Sequence, residues 1–281
     1  MKKVAFVLSG GGAKGCIQVG MLDCLINEKK IIPNIVVGIS TGALQSVGLV
    51  LDPSVKLLKQ LWFNIKSYKD IYTKSFLNYL KCLCGISNGV YTFDGLRKIL
   101  EKYFDKKKIQ KSDIKCFIGK VSLQSGKLIY KDNSNMTIDD IIASCTIPIA
   151  FPTVDKEEQY IDGGVRDIVP LKKAIDEGAD DIYILLCSPL NSYKKDDKQY
   201  KNIIDVTLRT QEILLNEVMR NDIDVALEIN AKVKDNHDFE HKFINFTILE
   251  PQKHIIDTLE FEHEKIIDGY HYGYNLARRL V

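Results

Sequence analysis

Apolar residues follow two alternating rhythms along this chain. Short unbroken apolar runs, Val4–Leu8 and Ile35–Ile39, are rich in β-branched side chains and bounded by Gly, Pro or Asn, so they predict buried strands. Between them Val19, Leu22, Leu25 and Ile26 recur at helical spacing. Thr41–Leu51 reads as a helix stopped by Asp52-Pro53, and residues 54–65 as another with Leu57, Leu58, Leu61 and Trp62 as its stripe. Further on, residues 93–104 form an amphipathic helical pattern. Residues 114–123 and 128–130 flank Gln124-Ser125-Gly126-Lys127 as a hairpin. A helix over 138–145 is broken by Pro148 and Pro152, and a short strand at 160–162 runs into Gly163-Gly164. A helix over 171–177 closes at Gly178, and 182–187 is again a buried strand. A long helix over 203–233, a late strand over 243–249 and a closing helix over 266–280 follow. Residues 66–90, with Tyr68, Tyr72, Phe76 and Tyr79, show no clear period. The alternation predicts an α/β fold: a three-layer α/β/α sandwich around a mostly parallel sheet. No internal repeat is present, and the polar stretch 191–201, read as a surface loop, is the single candidate boundary.

Composition narrows the classes. The 281 residues suffice for one large domain or two small ones. A net charge of +2 gives no electrostatic argument for nucleic acid, and Lys106-Lys107-Lys108, at an expected helix exit, reads as a solvated surface. Seven cysteines, with only Cys82 and Cys84 close together, point away from a disulfide framework and toward a reducing, cytoplasmic compartment. The first apolar run is too short for a signal peptide, and no segment approaches the ~20 apolar residues of a membrane span. Any membrane contact is therefore expected to be peripheral.

Three motifs carry chemistry. Gly38-Ile39-Ser40-Thr41-Gly42 lies between a buried strand and a helix, where a tight turn raises a serine hydroxyl above the sheet edge. Gly10-Gly11-Gly12-Ala13-Lys14-Gly15 follows the first strand. It satisfies G-x-G-x-x-G, so a nucleotide site is one reading. However, the second strand ends in Ser40 rather than an acidic residue, and Cys16-Ile17 after Gly15 breaks the Walker pattern. The other reading is an oxyanion hole, in which bare glycine backbone points several N–H groups at one spot and Lys14 adds a charge. Asp162-Gly163-Gly164 leaves a strand into two glycines and presents a carboxylate at the sheet edge. A nucleophilic serine needs a base. All five histidines lie beyond residue 236, so a carboxylate base is the more economical reading, although a Ser–Asp–His order stays open.

Taken together, these strings resemble the patatin-like phospholipase family. Ala143-Ser144-Cys145-Thr146-Ile147-Pro148-Ile149-Ala150-Phe151-Pro152 resembles its A-S-x-x-x-P-x-x-F-P block. Asp162 through Pro170 resembles its D-G-G-x-x-x-x-x-P segment, and Gly178-Ala179-Asp180 its G-A-D. Ser9 departs from the acidic residue of plant patatins before the glycines. The resemblance covers residues 4–188 as a catalytic domain. Residues 189–281 match nothing nameable and read as a mainly helical extension with a late strand, packed on the same domain. The resemblance implies a Ser40 nucleophile and an Asp162 general base. It implies an oxyanion hole from residues 10–15 with the Thr41 N–H, framed by Gly38, Gly42, Gly163 and Gly164. The implied reaction is hydrolysis of fatty-acyl esters in phospholipids, lysophospholipids or other lipids through an acyl-enzyme, without cofactor or catalytic metal. A lipid acyltransferase using the same pair is the alternative within enzymes, and a nucleotide-binding protein the alternative outside them.

Other residues invite competing readings. His237 and His241 stand at i, i+4 and could hold a metal on a helix, but the segment reads as a loop without a third ligand. Trp62, Phe63, Tyr68, Tyr72, Phe76 and Tyr79 fit an acyl pocket or membrane-touching lid, and equally an ordinary core. Cys145 reads as a buried structural thiol rather than a nucleophile.

Overall fold

The structure is a computed structural model describing residues 2–190, 199–235 and 240–281. The first half runs β1 (Val4–Leu8), α1 (Gly15–Asp23), β2 (Ile35–Ile39), α2 (Thr41–Leu51), α3 (Lys56–Asn64), β3 (Thr73–Lys74), α4 (Phe76–Leu83), β4 (Tyr91–Thr92), α5 (Asp94–Tyr103) and α6 (Lys106–Gln110). The second half runs β5 (Lys115–Ser122), β6 (Leu128–Asp132), α7 (Ile138–Ser144), β7 (Val154–Asp155), β8 (Gln159–Asp162), α8 (Leu171–Asp176), β9 (Asp181–Leu185), α9 (Ile203–Lys234), β10 (Asn245–Leu249) and α10 (His263–Leu280).

Strand periodicity explains the layers. In β1, Phe6 and Leu8 enter the larger core under α1, α2, α3, α5, α7 and α10, while Ala5 and Val7 enter the smaller core under α8 and α9. Both faces are buried, so the strands read as continuous apolar runs rather than alternating ones. The main sheet has the order β10-β9-β1-β2-β5-β8-β7, with β6 also on β5. The core pairs from β10 through β5 are parallel, while β6 and β8 run antiparallel to β5.

The register on β5 positions the site. β2 pairs with residues 115–119 of β5, β6 with 117–121 and β8 with 120–122. Overlapping partners must take opposite edges, so β2 and β8 share one edge, end to end. Ile39 lies opposite Gly119 and Asp162 opposite Lys120, the next residue. The C-terminal ends of β2 and β8 therefore meet, with Ser40 leaving one and Asp162 closing the other.

Several local readings are corrected. Lys106-Lys107-Lys108 lies exposed just past the end of α5, as expected, but it also opens a helix of its own, α6, which Asp105 caps through the Lys108 N–H at 3.0 Å. The helix expected from residue 54 begins at Lys56, because Val55 sits in the left-handed region at φ 65°. Residues 66–90, aperiodic in sequence, hold a 3-10 turn, β3 and α4, and β3 pairs as a small ribbon with β4 just beyond them. β10 pairs in parallel with β9, and α10 packs along α1, where the Tyr270 hydroxyl donates to Asp23. The loop expected over 191–201 lies mostly outside the described residues, as does much of the His237–His241 pair's segment.

Candidate active site

Ser40 is the N-cap of α2 with φ 55° and ψ −125°, a conformation rare for a residue with a side chain and a local store of strain. Glycines make the turn possible. A Cβ on Gly38 would stand 2.1 Å from the Gly42 carbonyl oxygen, and one on Gly42 would stand 2.2 Å from that of Leu8. Two consecutive residues ending α7 grip the backbone of Ser40. Its N–H donates to Ser144 Oγ at 3.0 Å, and its carbonyl accepts from Cys145 Sγ at 3.3 Å. Burial pushes the Cys145 thiol far up, so it is a neutral prop of the elbow and not a thiolate.

Asp162 faces Ser40 and is 6% exposed. Burial raises its carboxyl from 3.8 to about 7, against the opposing pull of the Ser40 hydroxyl and the Gly164 N–H, which donates to Oδ1 at 2.8 Å. The Asp162 backbone N–H is held by Thr146 O at 3.0 Å. None of the described histidines lines the cavities that reach Ser40.

The glycine loop is more selective than its sequence suggests. Gly10 N–H is spent on Ile168 O at 3.2 Å, Ala13 N–H on Thr258 O at 2.8 Å and Lys14 N–H on Gly11 O at 3.2 Å. Gly15 N–H turns back to Gly12 and Ala13. Those four amides are removed from the expected oxyanion set. The amides of Gly11, Gly12 and Thr41 have no acceptor among the described residues. Gly12 has φ 58°, and a Cβ there would stand 2.2 Å from Thr258 O. Lys14 does not offer a free charge: its buried ammonium donates to Glu212 Oε1 at 2.6 Å and Ser188 Oγ at 3.1 Å. Glu212, on α9, was invisible as a site residue, because nothing in a charged helical stripe marks one glutamate as turned inward. The pairing of Lys14 with Glu212 also disfavours the nucleotide reading, since it engages the ammonium that would otherwise meet a phosphate. Ser9, the departure from the plant pattern, braces the loop by accepting the Cys187 N–H at 2.9 Å.

Two cavities meet at Ser40 and Gly12. One runs beneath α2 between α3 and α5 and is almost wholly apolar, with Leu44, Val47, Leu58, Trp62, Leu96 and Phe151 among its walls. Its few polar groups include the buried Thr41 hydroxyl, whose Oγ1 has no hydrogen-bond partner among the described residues. The other is a mixed chamber containing Asp162, Gly11 and Lys14, roofed by Leu208, Glu212 and Leu215 of α9. The aromatic group divides accordingly: Trp62 and Tyr72 are buried, while Phe76 and Tyr79 are exposed on α4.

The arrangement combines a raised hydroxyl, a carboxylate titrating near neutrality, unpaired amides and an apolar channel, which is what acyl transfer through a serine requires. Comparison with known proteins agrees at the level of family. No curated protein matches the chain. Among solved structures, VipD from Legionella pneumophila aligns over 99% of this chain at 14% identity and a TM-score of 0.44, and the chain spans 66% of that structure's length. The Patatin-like phospholipase family model matches residues 6–175, more than half the chain. The chain belongs to the patatin-like phospholipase family, whose members hydrolyse lipid esters.

Proposed function

We propose that this protein hydrolyses fatty-acyl esters of lipids with Ser40 as nucleophile and Asp162 as its general base. The observation that carries the reading is the end-to-end meeting of β2 and β8 on one edge of β5, which sets Ser40 against a buried carboxylate poised near pH 7. Asp162 takes the hydroxyl proton as Ser40 Oγ attacks the ester carbon. The tetrahedral oxyanion collects hydrogen bonds from the amides of Gly11, Gly12 and Thr41. As it collapses, the proton passes from Asp162 to the leaving alcohol. A water, deprotonated by the same carboxylate, then attacks the acyl-serine; as the second tetrahedral intermediate collapses, the Oγ–carbon bond breaks, Asp162 returns the proton to Ser40 Oγ and the fatty acid leaves. The channel under α2 suits the acyl chain by its apolar walls, and the mixed chamber under α9 suits the alcohol half.

The test is labelling with a fluorophosphonate, peptide mapping, and product analysis with added lysolipid. Modification of Ser40 alone, with release of free fatty acid, is expected. A folded Ser40→Ala protein that still turns over ester overturns the assignment, and acyl transfer to the lysolipid in place of fatty-acid release makes the enzyme a transferase.

A further inference from the structure

Helix α4 displays its apolar face to solvent. Phe76, Leu77, Leu80 and Leu83 fall on one side at helical spacing, and Phe76 is 74% and Leu83 68% exposed. Ile86, just beyond the helix, is 74% exposed. So many large apolar side chains left in water on one short excursion mark a contact surface.

Its location and charge specify the partner. The return from α4 is stitched to the wall of the catalytic mouth: Val90 N–H donates to Ile149 O at 3.1 Å, Tyr91 N–H to Ala150 O at 2.8 Å, and Asn88 Nδ2 to Thr153 Oγ1 at 2.9 Å. The neighbouring Ile147 and Pro148 line the chamber at Ser40. Ile149 itself is half exposed at φ 69°, and Val165 and Leu214 are exposed apolar residues on the same chamber's rim. Residues 66–86 carry four lysines against one aspartate, +3, where the whole chain sums to +2. Asp70, the one acid, is committed to the backbone amides of Lys66 and Ser67.

We propose that α4 is an interfacial helix that seats the protein on an anionic lipid surface, its apolar face in the acyl boundary and Lys81 toward the headgroups, so that the Ser40 mouth opens against the membrane. An amphipathic helix with basic flanks lies in the plane of the interface in this way. The proposal rests on the lipid-ester reading for why the surface adjoins the mouth, but its binding is measurable without any turnover.

The experiment is flotation of the full chain with phosphatidylcholine vesicles, with and without phosphatidylserine, alongside hydrolysis of a short soluble ester. The wild type floats with the anionic vesicles. Leu77→Glu/Leu83→Glu, changing only exposed positions, lowers the bound fraction at least about tenfold, abolishes hydrolysis of vesicle lipid and leaves soluble-ester turnover intact. A milder Phe76→Ser/Leu83→Ser pair reproduces the loss without added negative charge. Flotation of the variants equal to wild type overturns the proposal, as does failure of the wild type to float. Self-association abolished by the same substitutions overturns it in favour of a second copy as the partner. A wild type that floats through α4 yet turns over no soluble ester leaves the surface standing and removes the hydrolase reading instead.

Discussion

Ser144 holds Ser40 by its backbone: the Ser144 hydroxyl oxygen accepts the Ser40 N–H at 3.0 Å, and both residues are buried. A serine at φ 55° persists only where its surroundings over-determine it. Removing the acceptor strands a buried N–H, at a cost of about 1–3 kcal/mol. Ser144→Ala is therefore expected to lower kcat roughly tenfold to a hundredfold with KM nearly unchanged, measured by steady-state kinetics on a soluble ester.

The pH profile reports on Asp162. A general base must be ionised, so kcat/KM is expected to rise with pH to a plateau, with its midpoint about 7. The stability consequence has the opposite sign. A carboxyl raised in the folded state binds its proton more tightly there than in the unfolded chain, so its contribution is full below pH 3.8 and is lost as pH rises to about 7. Asp162→Asn removes the ionisation, keeps an acceptor oxygen, and should lose roughly 10²–10⁴-fold in rate while melting higher than wild type at pH 8. Calorimetry and kinetics on the same sample check both; a variant that keeps its rate sinks the base assignment.

Gly11 separates two amides from their neighbours. A Cβ there would stand 2.4 Å from Cys187 Cβ, so Gly11→Ala displaces the loop that carries the unpaired N–H groups. Loss of an oxyanion donor costs about 10²–10³ in kcat. Full turnover in a folded Gly11→Ala protein would take this loop out of the mechanism.

Chain length should be read by the wall beneath α2. Leu44→Trp narrows the channel one turn below Ser40. Each methylene denied burial costs ~0.8 kcal/mol, so losing the burial of two or three lowers activity on long-chain esters roughly tenfold or more relative to short ones. An unchanged long-to-short ratio places the acyl chain elsewhere.

The Lys14–Glu212 pair ties the glycine loop to α9. Glu212→Gln leaves the buried Lys14 ammonium without its counter-charge; breaking a fully buried pair from one side costs about 3–5 kcal/mol, and the 30% exposure of Glu212 places the loss below that range. Lys14→Met/Glu212→Gln should recover most of that loss. A double variant no more stable than the single would mean the pair does not couple the loop to the helix, as thermal melts would record.

Much of the scaffold is written in local pattern. β1 and β2 are apolar on both faces, and Ser40 sits where a buried strand runs into a helix, so the elbow is legible from nine residues or so. What local pattern does not contain is pairing. Nothing in Tyr160-Ile161-Asp162 says that this strand runs antiparallel onto the edge of β5 just vacated by β2. The free amides could not be picked from six loop residues, because two of the four others are occupied by acceptors, Ile168 O for Gly10 and Thr258 O for Ala13, that arrive from distant segments. The exposed face of α4 could not be separated from core for a related reason: Phe76 and Tyr79 are aromatic like buried Tyr72, and only the packing tells them apart.

The shared edge of β5 also sets an order of events during synthesis. Ser40 leaves the ribosome with the second strand, but its carboxylate neighbour closes the eighth and reaches it only by docking on a strand made in between. Contacts of such long sequence separation form late. A nascent or truncated chain ending before residue 159 holds the serine without its acid, so the two halves of the pair meet only after the intervening sheet has formed.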